Sequence, residues 1–383
     1  MSQQIHSKNP FTKKYDTILF CNLYPPLGGG LERAAEGLAK YLANEKLQKV
    51  LVISSAGEDE YFQRDKVDCL TFNSLKIFHG FYPIVGLKLF WSTVKLLRRS
   101  RNTNIVIYGR HFTESMVVSF VCKFLRRKYL YVDTGFEPNV FKNKLVNKII
   151  NFFDLTIFRL VIQFAEVRIF VSETSKKFVI SRYGKWLQDA EVILNGFDEC
   201  IVKKFPFKAK QKNIIYASRL VNVKNPDTVV DAYLSLSSRY PDWNFYLIGK
   251  GRCKLDKIGQ NKLPDNVIYQ KNLLPQHEFH KLLSQSAIYV NSSTSEGLPL
   301  SIIEAGGLGC MLVLSDISHN MEVAKVAGLE KYSFPAKEIH TLVERLEQAI
   351  LDSKLDKHKK IQNKILEAFA NRNVFVKYWQ LLK

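Results

Sequence analysis

After a polar opening, the chain enters Thr17-Ile-Leu-Phe-Cys-Asn22, an unbroken apolar run of the kind that forms a parallel strand buried on both faces. A Pro/Gly turn over 25–30 leads into 31–44, where apolar residues recur at helical spacing, and 49–54 returns to a strand. The same patterns predict helices over 84–101 and 115–125, and strands over 104–108, 128–133, 168–171 and 191–194. Beyond a lysine-rich stretch the alternation restarts. Strands are predicted over 213–217, 244–248, 267–270, 287–291 and 311–315, with helices over 226–240, 276–284 and 300–306 and a helical tail over 337–383. Strands alternating with helices specify a doubly wound α/β fold, and two such series specify two similar-sized α/β halves with a cleft between them. The expected division is 1–199, a linker over 200–212, a second domain over 213–365, and a final helix over 366–383 that packs back toward the first domain.

Composition narrows this little. With 383 residues, 46% hydrophobic and 24% charged, the chain is neither disordered nor fibrous. Six cysteines lie far apart with no CxxC pair, so reduced core thiols are expected rather than a zinc site or a disulfide framework. No apolar leader is read in residues 1–15, and the most apolar window, 149–164, is interrupted by Asp154 and Arg159 and too short to cross about 30 Å of hydrocarbon.

Charge changes the picture more. The net charge is +20, and the window 76–148 holds 14 basic and 3 acidic residues, which is +11 of that total. It also holds Phe78, Phe81, Tyr82, Phe90 and Trp91. An aromatic face ending in a basic cluster suits an anionic membrane surface, although a core helix with a solvated basic end has the same pattern. No nucleic-acid-binding motif is present, and no nucleic-acid partner is expected.

Three motifs fall where such a fold places its ligands. Gly28-Gly29-Gly30-Leu31-Glu32-Arg33 follows the first strand and opens a helix; glycines there permit close backbone approach to an anion, as would a turn needing only positive φ. Arg219 and Lys224 stand five apart in a strand-to-helix loop, a planar fork and a point charge able to close on one diphosphate. The third motif runs from Asn291 to Gly309 and sets Glu296 and Glu304 eight apart around Gly297-Leu298-Pro299. There Glu304 would reach ribose hydroxyls and Glu296 a sugar, with the amides around Gly297 to Leu300 facing phosphates between them.

With Ile193-Leu-Asn195-Gly196-Phe-Asp198 and Ile248-Gly249-Lys250-Gly251, these motifs fall in one order from Gly28 to about Leu314, and the chain resembles the retaining glycosyltransferases of family 4, which have the GT-B fold of two facing Rossmann-like domains. The resemblance implies transfer of a sugar, with retention, from a nucleotide-diphosphate sugar to a lipid-linked or lipopolysaccharide or capsule glycan. Arg219 and Lys224 would hold the diphosphate and stabilise its departing charge, Glu296 would contact the sugar and Glu304 the ribose. Gly29, Gly30, Gly249, Gly251, Gly297 and Leu298 would line the donor. No cofactor or metal ion is implied, in keeping with the absence of a D-x-D pair.

The sequence departs from the family pattern at Ser218, where glycine is usual, at Leu312, where proline is usual, and at Asp133, which takes the place of an acceptor-side histidine that His111 would supply instead. The expected location is the cytoplasmic face of the inner membrane, held peripherally. A GT-B-fold epimerase acting on the same donor, or a catalytically silent sugar-nucleotide-binding subunit, would share most of these motifs.

Overall fold

The computed structural model describes residues 4–5, 10–22, 30–54, 59–77, 82–85, 87–109, 112–133, 144–258 and 262–383. The chain divides into two units, one of residues 1–195 with 374–383, the other of 196–373.

The N-terminal unit contains strands β1 (Gln4–Ile5), β2 (Thr17–Cys21), β3 (Val50–Ser54), β4 (Glu60–Arg64), β5 (Val67–Thr71), β6 (Ser74–Ile77), β7 (Tyr82–Val85), β8 (Asn104–Tyr108), β9 (Leu130–Asp133), β10 (Val167–Phe170) and β11 (Glu191–Val192). Nine of them form one sheet in the order β1-β4-β5-β3-β2-β8-β9-β10-β11, in which β4 runs antiparallel to both neighbours and the other pairings are parallel; β6 and β7 form a separate antiparallel hairpin. Every residue of β2 and β3 is buried, as their unbroken apolar runs require. Helices α1 (Gly30–Asn44), α2 (Leu87–Arg99), α3 (Thr113–Phe124), α4 (Lys144–Phe153), α5 (Arg159–Gln163) and α6 (Glu173–Tyr183) accompany the sheet, and a π turn over Asp154–Phe158 joins α4 to α5. Leu96 and Leu97 of α2, Val118 and Val121 of α3 and Val161 and Ile162 of α5 pack with Ile18, Phe20, Ile105 and Tyr131 into one core.

The C-terminal unit is a five-stranded parallel sheet of β12 (Gln211–Ala217), β13 (Asn244–Ile248), β14 (Val267–Gln270), β15 (Ser286–Asn291) and β16 (Met311–Leu314), ordered β14-β13-β12-β15-β16. Its helices are α7 (Cys200–Lys204), α8 (Pro226–Ser237), α9 (Leu255–Ile258), α10 (Gln276–Gln285), α11 (Leu300–Gly307), α12 (Ser318–Ala327), α13 (Ile339–Leu351) and α14 (Leu355–Phe369). The last helix, α15 (Asn371–Leu381), leaves this unit at Val374 and joins the other, where the Phe375 ring meets Tyr41 at 5.6 Å.

Local chemistry explains where the pattern and the structure differ. The helix expected over 84–101 is instead the end of β7 and then α2, because the β-branched Ile84 and Val85 favour a strand and Gly86 follows them. The β4–β5 hairpin turns on Asp65 and Lys66, both at positive φ, without the glycine that usually marks such a turn. Within the lysine-rich stretch, 200–204 is helical, and Lys210 is drawn inside to donate to the terminal carbonyls of Ser284 and Leu308. Burial lowers the pKa of that ammonium, which in turn closes the ends of α10 and α11. All six cysteines are free thiols; burial pushes Cys310 up to about 11 and Cys122 up to about 12. Among the described residues no helix is long and apolar enough to cross a membrane.

Candidate functional site

In the C-terminal sheet the strand order reverses between β12 and β15, the topological switch point at which loops diverge over the carboxyl ends of the strands. The two loops leaving that point are 218–225 and 292–299. They are stitched together. Ser292 donates its hydroxyl to the carbonyls of Lys224 and Asn225, at 2.9 Å each, and the amide of Thr294 donates to Val223 at 2.8 Å. Tyr216 donates to the same Lys224 carbonyl at 2.9 Å and accepts from Ser218 at 2.7 Å. Asn225 then turns the chain in the left-handed region, φ +48°, so that Pro226 starts α8.

This stitching fixes Lys224 opposite Glu296. The two form an ion pair, with side chains 17% and 9% exposed. Ser293 donates to the same Oε1 of Glu296 at 2.6 Å and Asn291 at 3.3 Å, so three donors converge on one carboxylate oxygen. Asn291 is itself held. Its Oδ1 accepts from the Ser293 amide at 3.0 Å and from Asn320 at 3.2 Å, and Asn320 also donates to Ser315 Oγ at 2.9 Å. Buried networks of this kind restrict the geometry of their members, because each loses a partner if another moves. Glu296 is therefore oriented before any ligand arrives.

Arg219 is exposed at the carboxyl end of β12. Its loop rests on 248–252: Leu220 donates its amide to Lys250 at 2.9 Å, and Arg252 donates to Leu220 at 3.2 Å. The contact is too close for side chains. A Cβ on Gly249 would fall 2.0 Å from the Ser218 carbonyl oxygen, and one on Gly251, at φ +142°, would fall 2.2 Å from that of Leu220. Backbone packing beneath Arg219 thus accounts for both glycines without a ligand.

The second carboxylate lies on α11. Glu304 is 6% exposed, with Oε1 3.3 Å from Nε2 of the buried His280 on α10. The helix begins at Leu300 with Pro299 at its N-cap making no side-chain cap, and its first amides lie directly after Gly297 and the buried Leu298. Arg219, Lys224, Glu296, Gly297, Leu298 and Glu304 therefore all belong to one strand-end region of one unit.

The description of the matching family model is "Glycosyl transferases group 1", and it matches residues 198–367. The C-terminal unit is a group 1 glycosyltransferase domain. Over 326 residues, 79% of this chain and 81% of the relative, the sequence is 22% identical to an uncharacterised glycosyltransferase, MJ1069, of Methanocaldococcus jannaschii. It is 28% identical over 210 residues, 53% of this chain and 43% of the relative, to a human protein named as part of the phosphatidylinositol N-acetylglucosaminyltransferase. Anabaena HepE, solved in complex with UDP and glucose, superposes with a TM-score of 0.70 at 16% identity, covering 96% of this chain and 99% of that one. The fold is GT-B.

The remaining expected residues lie in the N-terminal unit. Asp133 ends β9, is buried, and accepts from Tyr131 at 2.7 Å. Gly30 opens α1 directly after the first strand-end loop. Gly29 and His111 lie outside the described residues. Sequence reading missed the support of the group 1 site. Ser292, Ser293 and Asn291 were within its third motif, and Tyr216 two residues ahead of Ser218 was available as a signal. Asn320 and His280 carried none, because only the fold brings α12 and α10 to the strand ends.

Proposed function

We propose that this protein transfers a sugar from a nucleotide-diphosphate sugar to a glycan or lipid-linked acceptor, with retention and without a metal ion. The observation that carries the reading is the preorganised Lys224–Glu296 pair at the switch point, with Arg219 exposed on the adjoining loop. Arg219 and Lys224 supply two positive charges for a diphosphate, and they stabilise the negative charge that grows on it as the bond to the sugar breaks. A bound diphosphate takes over Lys224, while Ser293 and Asn291 continue to hold Oε1 of Glu296 and Oε2 receives sugar hydroxyls. Glu304 receives the ribose, and the uncapped amides of α11 face the phosphates. With retention, the acceptor attacks on the face the diphosphate leaves, and the leaving phosphate accepts the acceptor proton.

The relative HepE was solved with UDP and glucose, which favours a uridine nucleotide as the first donor to test. The human relative is named for a phosphatidylinositol acceptor, which supports a lipid-linked acceptor and with it a place at a membrane surface. The charge of the 76–148 window supports the same placement, as do the exposed Leu87 and Trp91 of α2.

The test is donor turnover in EDTA, with and without a crude lipid-linked acceptor fraction. Acceptor-dependent nucleoside diphosphate release that Glu296→Ala abolishes is the expected result. Equal turnover without acceptor would identify an epimerase or hydrolase, and no turnover of any donor would identify a binding subunit.

A further inference from the structure

Helices α10 and α11 both begin at the carboxyl edge of the C-terminal sheet, one after β14 and the other after β15. Each buries a polar side chain at its fifth residue. On α10 that residue is His280, 5% exposed, and on α11 it is Glu304, 6% exposed. Nε2 of His280 stands 3.3 Å from Oε1 of Glu304. The other buried residue of α10 is Leu283, so the inner face of this helix is otherwise apolar.

A histidine held on such a face only for its volume closes its ring nitrogens on nearby backbone or hydroxyl groups. His358 of the same unit does so, against Gly309 and Ser353 at 2.9 Å each. His280 does not. Its Nε2 is buried and completes no hydrogen bond among the described residues, and the acceptor that faces it is the Glu304 carboxylate. A buried ring N–H left short of a bond is costly, so the imidazole favours the arrangement in which it meets that carboxylate. Glu304 loses no capacity for a ligand by it, because an ionised carboxylate offers about four lone-pair sites.

We propose that His280 is a positioning residue for the nucleotide. Its Nε2–H engages Oε1 of Glu304 and fixes the carboxylate so that the remaining lone pairs face the hydroxyls of the ribose. The proposal rests on the assignment of Glu304 to the ribose, and deepens it: His280 sets how strongly the site prefers a nucleotide with ribose hydroxyls over one without them. A glutamate has three side-chain torsions to order when it takes up a hydroxyl. Holding it beforehand removes that cost from binding.

Titration calorimetry on the full chain tests this. UDP, GDP, ADP and dTDP are each compared with the counterpart that lacks its ribose hydroxyls, against wild type, His280→Leu and His280→Gln. Wild type is expected to prefer the hydroxyl-bearing nucleotide. His280→Leu should weaken that nucleotide by ~5–10-fold and its counterpart by less than ~2-fold, while His280→Gln, whose amide still donates, recovers most of the loss. If melting shows that His280→Leu does not fold, His280→Asn takes its place with the same expectation, since its shorter amide falls short of Oε1. Equal losses with and without the hydroxyls would make His280 purely structural and overturn the proposal, as would no loss at all; in both cases Glu304 keeps its assignment. A wild type indifferent to the hydroxyls would overturn that assignment and the proposal together. Binding of none of the four nucleotides would overturn the donor site itself.

Discussion

Lys224 and Glu296, 72 positions apart, meet as an ion pair because the hydroxyl of Ser292 binds the carbonyl of Lys224 and brings one loop onto the other. The pair is largely buried and shares its carboxylate oxygen with Ser293 and Asn291. Removing either charge therefore leaves the other in a poorly solvated position.

A double-mutant cycle on this pair separates its two roles. Lys224→Ala is expected to lower turnover by ~10²–10³-fold, the usual loss for one donor to a developing negative charge. Glu296→Ala is expected to lower turnover comparably, and the double variant to lose much less than the product of the two. Steady-state kinetics with the cognate donor checks this; strictly multiplicative losses would show that the two residues act separately.

Gly249→Ala is expected to destabilise the C-terminal unit by about 2–3 kcal/mol and to weaken donor binding with it. The added Cβ meets the Ser218 carbonyl oxygen at 2.0 Å, so the loop carrying Arg219 must move. Urea unfolding and nucleotide titration on the same variant decide the reason for the glycine. Lost affinity with unchanged stability would mean that it is needed for ligand approach instead.

Acid should weaken the C-terminal unit through His358. The Nδ1 of this buried imidazole is 2.9 Å from the Gly309 carbonyl and its Nε2 is 2.9 Å from Ser353 Oγ, a pairing that suits the neutral ring. Burial moves its pKa from 6.5 down to about 4. The unfolded chain therefore takes up a proton below pH 6.5 that the native chain refuses. This contribution to stability is complete above 6.5 and is lost as pH falls toward 4, at about 1.4 kcal/mol per pH unit. Urea melts at pH 7.5, 6 and 5 should show this slope in wild type, and His358→Gln should flatten it over that range.

Thiol labelling under native conditions should modify one cysteine. Cys200 is exposed, whereas Cys21, Cys69, Cys122, Cys253 and Cys310 are buried. A colorimetric disulfide reagent is expected to titrate about one thiol before denaturation and all six after it, with Cys200→Ser abolishing the native signal.

Much of this arrangement is legible in the sequence because strand-to-helix loops in a doubly wound sheet lie at the carboxyl ends of their strands. Arg219, Lys224, Glu296 and Glu304 are readable for that reason. What is not legible depends on contacts that local pattern does not encode. Asn320 reaches the site from α12, and Gly249 is small because of a carbonyl 31 residues earlier. Helix α4 defeats pattern reading in another way. Leu145, Ile149 and Phe152 have the spacing of a core-facing stripe, yet the structure leaves them exposed.

The central claim is that the carboxyl edge of the C-terminal sheet binds a nucleoside diphosphate through Arg219 and Lys224 without a metal ion. Isothermal titration calorimetry in EDTA tests it most directly, with UDP, GDP, ADP and dTDP against wild type and Arg219→Ala. The claim predicts one site per chain for at least one of these nucleotides, with affinity reduced at least ~10-fold by Arg219→Ala. Binding of none of the four, or binding that Arg219→Ala leaves unchanged, would contradict it.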